Sequence, residues 1–383
     1  GCCRPCLHAK RSKRARLRGL PCFRYNVTDA EIIDHALCPR PSWTVRWSKM
    51  EIVDIHAWAS RNIRTINITQ HVTHLRGGWI RYSIKVRRFV PRPGDSLARR
   101  WKVSGVEEYY DCAVYGIADM AETASAMEKV VDDTLLDAIS FYIDEKDKLL
   151  RSTYMMAHRY SQSAQVCPHL CFSAVLRLWG ASRMESRSEY VCGGETLGMM
   201  PHQCDRNCPN NGKILTPPVF SAQMEIIMTA RILLPIKKRI LRLLRDLIHE
   251  RQRQSWFTIY LTLFILLHSC AMLTAANIKR ARKQGIEGGY FDEKLIEELH
   301  TGAKILLAYF HHCNKGNHPF SMDWESPDQM TLDEFTPEQV GFMRELLAEL
   351  DEKAEIFKTI RKARQAEHEY YFLSQMYEHA WKP

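Results

Sequence analysis

Between residues 26 and 110 the chain carries most of its strand-like sequence. Ile80-Arg81-Tyr82-Ser83-Ile84-Lys85-Val86-Arg87 alternates apolar and polar positions, the period of a strand with one buried face. Ile66 and Ile68 supply a shorter partner run. Gly77-Gly78 lies between the two, so the pattern predicts a hairpin. Pro91, Pro93 and Gly94 stop the second strand. Its polar face carries Arg81, Lys85 and Arg87. That face reads first as a solvated sheet surface and second as a surface for nucleic acid.

From about residue 116 the period becomes helical. Over Ala118 to Ser152, the residues Met127, Val130, Val131, Leu135, Leu136, Ile139, Tyr142 and Ile143 recur mostly at steps of three and four, as one apolar stripe. A second helix is predicted over roughly 164–182. Residues 183–218 are rich in Gly, Pro, Asn, Ser and Cys and end in Pro217-Pro218, which reads as a long loop. Beyond it, Ile236, Ile240, Leu243, Leu244, Leu247 and Ile248 make an apolar face, and Lys237, Lys238, Arg239, Arg242 and Arg245 a basic one. A bundle helix with a wet basic side is the first reading; a helix lying on a membrane or on DNA is the second.

Trp256 to Ala276 carries no charge and is long enough to span a bilayer. It also holds Thr258, Tyr260, Thr262, His268, Ser269 and Thr274, and a central bundle helix is just as apolar. The buried helix is the expectation, with a single membrane span as the competing one. Leu295 to Cys313 is a further helix, ended by Asn314 to Gly316. The last long helix has a clear start: Thr336 as N-cap, Pro337 at the first position and Gln339 three residues after the cap. Met343, Leu347, Leu350, Ala354 and Phe357 then make a seam too short for a stable coiled coil, so packing onto the same bundle is expected.

These elements predict a mainly α protein. A basic, cysteine-bearing arm (residues 1–25) precedes a small mixed region with a β-hairpin (26–115). A helical domain (116–383) follows, interrupted by the loop 183–218. With 45% apolar and 26% charged residues over 383 positions, the composition is that of an ordinary globular chain with a sizeable core.

Charge changes this picture at one end. Lys and Arg number 54 against 44 Asp and Glu, a net +10. Arg4, Lys10, Arg11, Lys13, Arg14, Arg16, Arg18 and Arg24 all precede the first acid, Asp29. A basic arm on a nearly neutral body points to a polyanion partner or to nuclear import; a solvated tail is the plainer alternative. The 13 cysteines are scattered and odd in number, behind a polar start, so a reducing compartment fits better than a disulfide framework. The chain opens on Gly1 and not on methionine, which reads as a fragment or an incomplete gene model.

The head, Gly1-Cys2-Cys3-Arg4-Pro5-Cys6-Leu7-His8-Ala9-Lys10-Arg11-Ser12-Lys13-Arg14, contains one chemical device. Cys3 and Cys6 have the two-residue gap that lets one loop wrap a metal with two thiolates. Bases follow at once, so a metal-pinned turn would present Lys10, Arg11, Lys13 and Arg14 to phosphates. A CxxC pair alone is a weak signal.

This head resembles half of the six-cysteine, two-zinc module of fungal zinc-cluster transcription factors. In that family a cysteine pair is followed by a basic stretch and a third cysteine; here Lys13 stands in that cysteine's place, and Cys22 comes next. Cys2, Cys3, Cys6, Cys22 and Cys38 do not supply six ligands, so two zincs are not held as in the family: the module is truncated or degenerate. The body resembles the same family over roughly residues 22–383. The likeness is carried by Arg24-Tyr25-Asn26-Val27-Thr28-Asp29, Arg183-Met184-Glu185-Ser186-Arg187-Ser188-Glu189, Trp256-Phe257-Thr258-Ile259-Tyr260-Leu261, Tyr371-Phe372-Leu373-Ser374-Gln375 and Trp381-Lys382-Pro383.

The resemblance implies a nuclear, DNA-binding regulator of RNA polymerase II transcription, with a helical regulatory body. Cys3, Cys6 and Cys22 would hold zinc, and Lys10, Arg11, Lys13 and Arg14 would touch DNA. A homodimer or the transcription machinery is the expected protein partner, and no membrane is expected. The alternative is a helical interaction protein that has lost DNA reading.

Three further clusters carry metal-ligating residue types. His202, Cys204 and Cys208, with Cys192 nearby, could bind zinc or be simple loop thiols. His311, His312, Cys313 and His318 at a helix end could do the same or merely favour the helix dipole. Cys167, His169 and Cys171 form a similar, weaker group. No phosphate-cradling glycine loop, HExxH or GxSxG is present, so no enzyme is expected.

Overall fold

The computed structural model describes residues 55–383 apart from 56, 72–78, 92–94, 96, 104–105, 163–172, 186–188, 205–207, 209, 251–254, 284–285, 287, 315–318, 325–334 and 383. The chain is mainly α, with a small antiparallel sheet ahead of most of the helices. It folds as two compact units. One runs up to Tyr142 and resumes over Gly180–Pro235; the other takes Ile143–Trp179 and everything described from Ile236 onward.

The first unit is built on the predicted hairpin. β1 (Trp58–His71) and β2 (Trp79–Phe89) pair antiparallel, with Ile66 opposite Ile84 and Ile68 opposite Tyr82. The alternation turns Ile80, Tyr82, Ile84 and Val86 into the core and leaves Arg81, Ser83 and Lys85 exposed. Each such apolar side chain contributes roughly 1.5–3 kcal/mol by leaving water. β3 (Ala98–Val103) and β4 (Val106–Asp111) form a separate ribbon, and β5 (Tyr115–Ile117) pairs with the outer edge of β2. α1 (Met120–Asp133) packs on β2, and its start is capped by Asp119, whose carboxylate accepts the N–H groups of Ala121 and Glu122.

The stripe expected as one helix over 118–152 is divided. α1 ends at Thr134, α2 covers Leu135–Tyr142, and α3 starts only at Lys148. The break has a local cause. Asp144 accepts from the Lys146 N–H at 2.9 Å and Asp147 from the Leu150 N–H at 3.0 Å, so two short acids offer the backbone an alternative to the helix ladder. α3 (Lys148–Gln162) and α4 (Ser173–Glu185) follow. The segment 183–218, expected as loop, adds two strands to the sheet. β6 (Glu189–Cys192) pairs with β1, placing Tyr190 opposite Thr69, and β7 (Ile214–Leu215) pairs with β6. The strand order is β5-β2-β1-β6-β7.

α5 (Pro218–Ile226) runs through a π-helical stretch, Ile227–Leu233, into α6 (Leu234–Glu250). Pro235 lacks an N–H and its ring crowds the preceding turn; the wider π turn ahead of it accommodates the chain without a break.

The second unit is a bundle around α7 (Trp256–Lys283), in which Tyr260, Leu261, Leu263, Phe264, Ile265 and Leu267 are fully buried. α8 (Glu293–Cys313) and α10 (Tyr370–Met376) pack on α7, and α9 (Pro337–Ala363) packs on α3 and α10. By length and composition, Trp256–Arg282 and Pro218–His249 could each cross a membrane. In the first, 72% of the apolar window is buried inside the protein, as a core helix requires. On α6, Ile236, Ile240, Leu244, Leu247 and Ile248 are buried, while Lys238, Arg239 and Arg242 face outward.

α9 begins as its sequence predicts. The Thr336 hydroxyl accepts the Gln339 N–H and the Gln339 side chain accepts the Thr336 N–H. Its seam is turned slightly from the expected one. Phe342, Met343, Leu346, Phe357 and Ile360 are buried, whereas Leu347, Leu350 and Ala354 are only half-buried.

Candidate metal centre

Cys3, Cys6 and Cys22, and the bases Lys10, Arg11, Lys13 and Arg14, lie outside the described residues, as do Cys167, His169, Cys171 and His318. The structure does bring one of the other clusters together. His202 Nδ1 or Nε2, Cys204 Sγ and Cys208 Sγ all lie within 4.8 Å of one another, with His202 and Cys208 buried and Cys204 half-buried. Cys192, on β6, is not part of this group.

The backbone around the three is held by its own hydrogen bonds. The His202 N–H donates to the Lys213 carbonyl at 2.8 Å, and the Gly212 N–H donates back to the His202 carbonyl at 2.7 Å. The Cys208 carbonyl accepts from Asn211 N–H at 3.1 Å, closing a turn that ends on Gly212 at φ +69°. Asn211 Oδ1 accepts from the Cys204 N–H at 3.2 Å. The turn needs the left-handed conformation that glycine tolerates, and the Asn side chain ties the two cysteine-bearing stretches together.

From the other side, Tyr110 packs edge-on to the His202 ring, with centroids 5.6 Å apart, and donates its hydroxyl to the Met200 carbonyl at 2.6 Å. Burial pushes the Tyr110 phenol up to about 12 and the Cys112 thiol up to about 11, so both stay neutral at physiological pH. Close by in the chain, Arg99 donates to the Thr216 carbonyl and hydroxyl and to Ser221, anchoring β3 to the segment after β7. Tyr82 and Gln70 donate to the Glu189 carboxylate at 2.6 and 2.9 Å, holding the start of β6. Burial raises the Glu189 carboxyl, and those two hydrogen bonds pull it back.

Sequence spacing brings the three donors to notice. It does not show Tyr110 or Asn211. The Asn-Asn-Gly turn signal is present at 210–212, but a tyrosine about ninety positions upstream leaves no local trace.

The remaining candidates have structural duties. His311 donates Nε2–H to the Gln375 carbonyl at 2.8 Å and stacks on Trp381 at 4.9 Å, while His312 and Cys313 are exposed. On the β2 strand, Lys85 pairs with Glu122 at 2.9 Å and Arg87 lies over the Trp58 ring, so these bases are engaged within the sheet and its helix. That suits the solvated-face reading of β2.

A family profile described as KpeA transcription factor matches residues 38–376. Among curated proteins, the satratoxin biosynthesis SC3 cluster transcription factor SAT20 of Stachybotrys chartarum is 27% identical over 150 residues, covering 37% of this chain and 21% of that protein. The chain thus aligns with about a fifth of that relative's length. No solved structure matches. Most of the chain, including both folded units, lies within the matched span, and the chain belongs to the KpeA transcription factor family.

Proposed function

We propose that this transcription factor is a nuclear, DNA-binding regulator of RNA polymerase II transcription of the zinc-cluster type, and not an enzyme. One observation carries the reading: a family match over 38–376 preceded by an arm in which every charge before Asp29 is positive. A basic arm ahead of a body of this family suits a polyanion partner, and DNA is the polyanion a transcription factor meets. In this reading Lys10, Arg11, Lys13 and Arg14 neutralise phosphates. Cys3, Cys6 and Cys22 hold zinc. Three thiolates suit one zinc with an open fourth position, and not the two zincs of a six-cysteine module. The helical body regulates through a second copy of the chain or through the transcription machinery.

The test is binding of the full chain to genomic duplex fragments under excess competitor DNA, with and without a zinc chelator. Selective binding abolished by the chelator is expected. Weak, unselective binding that ignores the chelator would overturn the zinc-cluster assignment. It would favour a regulatory body that acts through protein partners.

A further inference from the structure

We propose that His202, Cys204 and Cys208 form a second zinc site, separate from the N-terminal cysteines, that clasps the connection between β6 and β7. It does not rest on the DNA-binding reading.

Three observations converge. The donors are of the type zinc prefers, one imidazole and two thiols. Tetrahedral zinc, with bonds of ~2.0–2.3 Å, sets its donors about 3.5–3.8 Å apart, so donors within 4.8 Å of one another need only side-chain rotation to close on it. Second, the backbone that carries them is already positioned: His202 is bonded at both its N–H and its carbonyl to the 212–213 strand entry, and Cys204 is tied to the Cys208 turn through Asn211. Little chain order is left to be imposed by the metal. Third, the charges balance. Two thiolates and a neutral imidazole around a divalent cation make a neutral complex, which is the form that tolerates the burial of His202 and Cys208. Binding releases the two thiol protons to solvent, so uptake strengthens as pH rises. A fourth ligand such as a water molecule would complete the tetrahedron.

The clasp also has a structural purpose. β7 has two residues and β6 four, and strands this short hold poorly by pairing alone. A metal joining residue 202 to residue 208 adds a cross-link within that connection.

The experiment uses the full chain with Cys2, Cys3, Cys6 and Cys22 replaced by serine, so that the thiols of the arm cannot contribute. Cobalt(II) is titrated in, then displaced by zinc. Expected are one cobalt per chain, tetrahedral ligand-field bands, and a thiolate-to-cobalt charge-transfer band, all lost on adding one equivalent of zinc. Cys204→Ser with Cys208→Ser should weaken uptake by at least ~100-fold, more than typical losses from an outer-shell residue. His202→Cys keeps three donors and serves as the control for folding. It should retain the metal, with charge-transfer intensity per cobalt rising as two thiolates become three. Overturning results are no stoichiometric cobalt uptake, bands indifferent to loss of Cys204 and Cys208, or intensity unchanged in His202→Cys. Absence of metal together with two oxidised thiols at 204 and 208 would also overturn it and replace the metal with a disulfide.

Discussion

The Tyr154 hydroxyl and His268 Nδ1 lie 2.7 Å apart, both residues with no exposed surface, linking α3 to the middle of α7. His268 Nε2 in turn lies 4.0 Å from the Glu369 carboxylate, just ahead of α10. The nearby His268 imidazole, more than any other influence, holds the Glu369 carboxyl below its usual range. A histidine in the charge-free stretch of α7 is thereby part of a polar chain that joins three helices. Replacing it with Phe keeps an aromatic volume but removes the bond from a buried hydroxyl, and should destabilise the chain by ~1–3 kcal/mol. Chemical denaturation followed by tryptophan fluorescence would show it. A midpoint equal to the parent's would mean that the bond contributes nothing net.

His300 gives the bundle a dependence on pH. Its imidazole is pushed down to about 4, by burial first and by Lys304 second, with Glu367 opposing. The Thr274 hydroxyl already donates to the Cys270 carbonyl, so at 3.1 Å it receives a hydrogen bond from His300 Nε2–H. The unfolded chain, with an ordinary imidazole near ~6.5, takes up the proton first as pH falls. This contribution to stability is therefore complete above about 6.5, declines below it and levels off near 4. His300→Gln should lose less stability than the parent between pH 7 and pH 5, as read by denaturation midpoints. An equal loss in both proteins would rule the histidine out.

Thr336→Ala removes one half of the reciprocal cap on α9, since the Thr336 side chain serves the Gln339 N–H. The expected cost is ~0.5–2 kcal/mol. Thr336→Ser should restore most of it, which separates capping from side-chain bulk. Hydrogen exchange at the first turn of α9 reports the same loss locally.

The start of α9 was legible in the sequence because a cap is a local device: Thr336, Pro337 and Gln339 lie within four positions. The β1–β2 hairpin was legible for the same reason, through the alternation of Ile80, Tyr82, Ile84 and Val86. β6 and β7 were not. Tyr190 pairs with Thr69 across more than a hundred residues, and strands this short are made by their partner and not by their own composition. The division of the 118–152 stripe escaped the apolar period because the break is made by the polar side chains of Asp144 and Asp147. Of the candidate sites, the His202 cluster was visible as spacing, but its packing against Tyr110 was not.

For the basic arm, alanine at Lys10, Arg11, Lys13 and Arg14 together should flatten the dependence of DNA affinity on salt. Each phosphate neutralised adds ~0.9 to the logarithmic slope, so up to about 3.6 is at stake. A slope unchanged by the four substitutions would place the DNA contacts elsewhere. Gly212→Ala tests the turn behind the metal centre. Nothing lies within 4 Å of the added methyl, so the whole cost is that of a left-handed alanine, ~1–2 kcal/mol. Limited proteolysis between residues 202 and 213 should become faster.

The path of the chain between its two compact units has a consequence for biosynthesis. It leaves the first after Tyr142, returns at Gly180 and leaves again after Pro235. The sheet of the first unit is therefore still short of β6 and β7 while the first helix of the second, α3, has already been made. Neither unit is complete until the ribosome has passed well beyond residue 180, so an early, independently folded N-terminal half does not form in the usual domain-by-domain order. A nonsense change anywhere before residue 216 would therefore leave two unfinished bodies and not one intact one, and such products are natural substrates for chaperones and proteases.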